Sequence, residues 1–162
     1  MILTDEMLNL YEGCVKQAAT DVLATYGVAI QPQDDLGEMT SHDVIIGIIS
    51  LVGDAELSVF IGLPRSTATA LVAKFAGFEI PYDSSDMGDA IGELANMLGG
   101  MTKTLLDTRG IKVNISLPTV IRAQDIHVLT QRGTTSAKIG LSSDTGPLWV
   151  GVVAGQRAGF VA

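Results

Sequence analysis

Within residues 92–100, GELANMLGG, a carboxylate and a carboxamide stand three positions apart as Glu93 and Asn96, and a second carboxylate, Asp89, precedes Glu93 by four. On a helix these spacings put all three on one face, with Glu93 and Asn96 about one turn apart. An amide accepts and donates hydrogen bonds without bringing a charge, and a carboxylate pairs with a cation. By themselves they complete neither a triad nor a metal site. Asp89 and Glu93 supply one pair of carboxylate oxygens, a poor cage for Mg²⁺ or Ca²⁺, and no histidine stands near them in the sequence. The chain has no Gly-x-Ser-x-Gly elbow, no activated cysteine context and no glycine loop that cradles phosphate ahead of a helix.

A polar helix face needs no cause beyond solvation. The glycines around this one do, because Gly92, Gly99 and Gly100 each forfeit about 1 kcal/mol relative to alanine inside a helix. Their absent side chains admit either another molecule's backbone or a neighbouring element of the same chain. The sequence is compatible with both.

The element that must carry this face is a helix over 84–108, closed at Gly110. Met87, Ile91, Leu94, Leu98, Met101 and Leu105 form its apolar side, while Asp89, Glu93, Asn96, Gly100, Lys103 and Asp107 form the other. Thr4, with Asp5 and Glu6, opens a first helix over 4–26 that Gly27 stops. A short strand follows at 28–30, ahead of a polar turn with Pro32 and Asp34–Asp35. Residues 43–52 and 55–63 read as antiparallel strands joined at Gly53–Asp54, and a second helix spans 64–76. After the long helix come a strand over 111–118, a loop or irregular strand through Asp125 and His127, and a hairpin of 134–143 with 147–154 turning at Asp144–Gly146. The order helix, strand, hairpin thus occurs twice. VLATYGVAI at 22–30 aligns with LLDTRGIKV at 105–113, and GIISLVG at 47–53 with GLSSDTG at 140–146. The expected fold is α/β (α+β): two pseudo-symmetric halves, about 4–76 and 84–155, sharing an antiparallel or mixed sheet packed by long helices, within a single domain of residues 1–162.

Bulk properties narrow the partners. Ten Lys and Arg against 18 Asp and Glu give a net charge of −8, which removes the electrostatic footing for nucleic acid or an anionic membrane. The most apolar run, 43–64, is broken by Gly53, Asp54 and Glu56, so no membrane insertion is expected. The acidic start MILTDEMLNL does not resemble a secretory leader, and a soluble cytoplasmic protein is expected. Cys14, the single cysteine, reads as a buried thiol, and His42 and His127 as surface or strand-end residues.

The pattern Asp89, Glu93, Asn96, then 21 residues to Pro118, resembles the signature of the chemotaxis phosphatases of the CheC, FliY and CheX family. The family's Asn-to-Pro spacing is about one residue longer, a difference that one deletion before Pro118 accounts for. The element order and duplicated layout are similar to that fold across nearly the whole chain. The resemblance implies two-component signalling: hydrolysis of the aspartyl phosphate on a phosphorylated CheY-like response regulator. In this reading Asn96 orients the attacking water and Glu93 docks by pairing with the regulator's active-site lysine. Asp89 and Pro118 support them, the partner supplies Mg²⁺, and this chain carries no cofactor. CheC-type members hold the pair in both halves. Here the offset of 83 residues places Leu10 and Gly13 at the matching positions, so the chain resembles the single-site CheX branch, whose members form homodimers. The alternative is a non-catalytic module of the same fold that binds a response regulator or belongs to a flagellar or signalling assembly.

Overall fold

The structure, a computed structural model, describes residues 3–34, 43–124 and 129–155. Thr4 caps helix α1 (Asp5–Ala24), its hydroxyl accepting from the Met7 N–H at 3.2 Å, with Asp5 and Glu6 favourably placed in the first turn. Helix α3 (Ser85–Asp107) begins the same way at Ser84, which accepts from Met87 N–H at 3.3 Å. The two helices also end alike, at Gly27 (φ 71°) and Gly110 (φ 78°), left-handed positions where glycine carries no steric penalty. Val28 N–H closes on Leu23 at 3.1 Å and Ile111 N–H on Leu106 at 3.0 Å, pairs that are again 83 residues apart.

Between them run β1 (Ile30–Pro32), β2 (Val44–Gly53), β3 (Glu56–Pro64) and α2 (Arg65–Ala76); after α3 come β4 (Val113–Ile115), β5 (Thr119–Ala123), β6 (Thr134–Ser143) and β7 (Leu148–Gly155). The sheet is antiparallel throughout, in the order β1-β6-β7-β3-β2-β4, with β5 also on β2. Short β1 flanks the late hairpin and short β4 flanks the early one, so each half edges the other. One core joins the buried faces of α1, α2 and α3 to alternate residues of the strands, among them Ile45, Ile49, Leu51, Val59, Ile61, Val150 and Val152. A small second cluster, Val44, Ile46 and Trp149, lies apart from it. The fold is the expected α/β arrangement with an antiparallel sheet.

Two details differ from the sequence reading. The first strand lies at Ile30–Pro32 rather than 28–30, because the Val28 N–H is engaged in closing α1. Pro32 is admissible there since β1 is an edge strand. The strand expected over 111–118 ends at Ile115, and of the loop or irregular strand expected after it, residues 119–123 form a regular strand, β5. Both pair with β2, but not in one register: Ile115 faces Leu51, whereas Thr119 faces Ile48. Three residues, Ser116 to Pro118, therefore oppose two, Ile49 and Ser50. This is a β-bulge, and it switches which face of the chain is inside. Val113 and Ile115 lie opposite Gly53 and Leu51; beyond the bulge it is Val120 that lies opposite Gly47, on the side facing α3.

Candidate functional site

Helix α3 is the platform. Met87, Ile91, Leu94 and Leu98 are buried along its inner side, joined by Ala95, Thr102 and Leu106, and the Thr102 hydroxyl is satisfied by the Leu98 carbonyl at 2.8 Å. Contact with the sheet is close because side chains are missing where the surfaces meet. A Cβ on Gly99 would lie 2.8 Å from Ile49 Cγ2, and one on Gly47 would lie 2.9 Å from Ala95 Cβ and 3.2 Å from the Ile91 carbonyl. Gly100, the next residue, has nothing within 4 Å of such a Cβ. The two possible uses of the glycines are thus divided: Gly99 serves the chain's own sheet, and Gly100 leaves the outer face bare.

The entry into α3 is clamped from two sides. The Tyr82 ring lies beneath the Arg65 guanidinium at 4.5 Å and near that of Arg122 at 5.6 Å. Arg65 also pairs with Asp83 at 2.7 Å, and Arg122 donates to the Tyr82 carbonyl at 2.7 Å. These contacts tie the segment before Ser84 to α2 and β5, and so fix where the helix starts.

On the outer side, Asp89 and Glu93 are exposed and Asn96 is partly buried, all three on the solvent-facing stripe. Among the described residues no partner engages the side chain of Glu93 or Asn96. The stripe continues through Gly100 and the partly buried Lys103 to Asp107, which is ion-paired with Lys112. Pro118, 22 residues beyond Asn96 in sequence, is brought back to the same helix. Its Cγ lies 3.8 Å, and Val120 Cγ2 3.6 Å, from the point a Cβ on Gly92 would occupy, one residue before Glu93. The bend that carries Pro118 is anchored on β2: Ser116 N–H donates to the Ser50 carbonyl at 2.8 Å, and Ser50 N–H donates to Ser116 Oγ at 3.1 Å. Projected from this bend is Leu117, 89% exposed, a residue the sequence reading did not single out. Its signal was confined to pairing register, which one sequence does not display.

In the first half, Leu10 is partly buried against the core and Gly13 is exposed, so α1 presents no carboxylate–amide pair at the matching positions. Cys14 is buried, and burial pushes its thiol up from the ordinary value against the opposing pull of Arg109. No three His, Cys, Asp or Glu converge on a metal-sized site among the described residues. His42, His127, Asp35 and Asp125 lie outside the described residues. No helix among the described residues is long and apolar enough to cross a membrane.

What this geometry offers is a carboxylate and an amide about one turn apart on a packed helix, without side-chain partners among the described residues.

Comparison with known proteins gives concordant matches. A family profile described as Chemotaxis phosphatase CheX matches residues 45–142. The CheY-P phosphatase CheX of Thermotoga maritima is 29% identical over 128 residues, covering 75% of this chain and 79% of that protein. Among solved structures, the chemotaxis protein CheX of Desulfovibrio desulfuricans superposes with a TM-score of 0.76 at 20% identity, over 89% of this chain and 98% of that one. The CheX of the CheX–CheY–BeF₃–Mg²⁺ complex from Borrelia burgdorferi superposes with a TM-score of 0.71 at 19% identity, over 90% and 98%.

Proposed function

The chain belongs to the CheX family of chemotaxis phosphatases, and from that premise we propose that it hydrolyses the aspartyl phosphate of a CheY-like receiver protein by inserting the outer face of α3 into the receiver's phosphorylated site. The observation that carries this reading is the unengaged pair, Glu93 and Asn96, held on a helix whose start, inner face and neighbouring bend are all fixed.

An acyl phosphate is already energetic, so the chief requirement is a water held in line with phosphorus. Asn96 meets it: its amide orients the water by accepting and donating, and adds no negative charge beside an anionic phosphoryl group. The water oxygen bonds to phosphorus as the bond to the aspartate oxygen breaks, giving inorganic phosphate and the free carboxylate. Glu93 pairs with the receiver's active-site lysine and sets the depth and register of insertion. Mg²⁺ belongs to the receiver, and this chain contributes no cofactor; Asp89 and Glu93 are one pair of oxygens and suit docking better than chelation. Asp89 and Pro118 support the face, Pro118 by packing beside Gly92.

The same reading carries a single domain of two related halves with one site per chain, a homodimer, and a cytoplasmic location. The matched helix endings and the exchanged short strands support the two halves, and sedimentation at several concentrations tests the dimer.

The decisive measurement is phosphate release from a panel of phosphorylated receiver domains. Asn96→Ala is expected to lower release by on the order of 10²-fold or more while binding persists, since only water positioning is lost. Glu93→Ala is expected to weaken binding by roughly 10- to 100-fold, the worth of one charge-assisted hydrogen bond. Release unchanged by Asn96→Ala refutes the mechanism. A chain that binds phosphorylated receivers and releases no phosphate is instead a non-catalytic module of this fold.

A further inference from the structure

We propose that Leu117 is the apolar anchor by which the receiver is recognised, seated in an apolar depression on the receiver beside its phosphorylated aspartate; this rests on the phosphatase reading above. Single exposed leucines are common and ordinarily carry no meaning. Leu117 differs in the cause of its exposure and in its position.

The cause is the bulge. Three residues oppose two of β2, so the middle one of the three, Leu117, is turned out at 89% exposure. The strands on either side keep their pairing. Bulges re-aim side chains and concentrate beside active sites. This one is held rather than loose. Ser116 is bonded to Ser50 in both directions, at 2.8 and 3.1 Å, its hydroxyl also reaches the Leu117 carbonyl at 3.0 Å, and Pro118 restricts the backbone on the far side. A side chain presented on a fixed backbone loses little freedom when bound, which is the circumstance in which one apolar residue contributes most to an interface.

The position is set by Pro118. It packs beside Gly92, the residue before Glu93, so the bend that carries Leu117 borders the helix face proposed to enter the receiver. Continuity with that face commits the occupant to the receiver rather than to a second copy of this chain.

The test uses the whole chain with Leu117→Ser and the conservative Leu117→Met. KM and kcat are measured for release of phosphate from the phosphorylated receiver, and Kd for the receiver activated with beryllofluoride. Leu117→Ser is expected to raise KM and Kd together by about tenfold or more, with kcat and the unfolding midpoint unchanged, and Leu117→Met to restore most of the affinity. KM and Kd equal to those of the parent chain overturn the proposal, as does a loss of kcat with KM unchanged. If the parent chain binds the activated receiver but releases no phosphate, the phosphatase reading fails while the Kd comparison still decides the role of Leu117. If the parent chain binds no receiver, both fail.

Discussion

Replacing Gly99 and Gly100 by alanine, one at a time, separates two uses of glycine within one turn of one helix. The gain in helix propensity is common to both substitutions, about 1 kcal/mol each, and cancels when they are compared. What remains is the surroundings. At Gly99 the new methyl would lie 2.8 Å from Ile49 Cγ2 and 2.9 Å from its Cδ1, and Ile49 is only 1% exposed, so the side chain cannot swing into solvent. Overpacking of a filled core costs about 1–3 kcal/mol. At Gly100 nothing lies within 4 Å, and no such cost arises. Gly99→Ala should therefore be neutral to about 2 kcal/mol less stable than the parent, and Gly100→Ala about 1 kcal/mol more stable. At about 2–4 °C per kcal/mol for a chain of this size, the two melting midpoints should be clearly resolved. Thermal and urea unfolding measure it directly. Activity supplies the other half of the test: Gly100→Ala adds a methyl to the face proposed to enter the receiver, so its KM should rise although the protein is sturdier. If Gly99→Ala proves as stable as Gly100→Ala, the close packing of α3 on β2 is wrong, and with it the fixed platform on which the site depends.

Two further expectations concern groups away from the site. The hydrogen bond from Lys74 holds the Asp144 carboxyl below the ordinary aspartate range, so its contribution is present above the unfolded pKa and disappears as pH falls through the lower folded value. The contribution is small and salt-sensitive because both side chains are substantially exposed. Asp144→Asn should flatten the acid side of the stability profile, and an NMR titration that places the Asp144 carboxyl at or above the ordinary value would contradict the pairing. Burial raises the Cys14 thiol, with Arg109 acting weakly in the other direction. The native chain should therefore resist a thiol-specific reagent near neutral pH and react fully once denatured; rapid stoichiometric labelling of the native chain would show that α1 is not packed as described.

The sequence made the helical part of the site readable because helix geometry is local. Thr4 sits where a cap is needed, Gly27 and Gly110 where left-handed stops are needed, and a step of three and four separates the buried Met87, Ile91, Leu94 and Leu98 from the outer Asp89, Glu93 and Asn96. None of these inferences requires a partner in space. The bend at Ser116–Pro118 is a different kind of object. IKVNISLP alternates acceptably as one strand, and nothing in it states that Ile115 will face Leu51 while Thr119 faces Ile48. That shift is a relation between β2 and the chain beside it, enforced by the Ser50–Ser116 bonds and by the need to bring Val120 inward over Gly92. The use of each glycine was illegible for the same reason: Gly99 and Gly100 are identical neighbours in sequence and differ only in which faces the sheet.

The same distinction bears on the proposed site, which consists of two side chains. An enzyme that houses its whole reaction must bury polar groups and satisfy each of them, and traces of that appear as convergent, partnered side chains in a cavity. Here Glu93 and Asn96 have no partner among the described residues. What the chain invests in instead is placement: a capped and clamped helix start, a helix brought close to the sheet through Gly99 and Gly47, and a bulge that fixes Pro118 against Gly92. Such a frame suits the proposed insertion into a receiver's site, because each rotational freedom removed beforehand is one that binding need not remove.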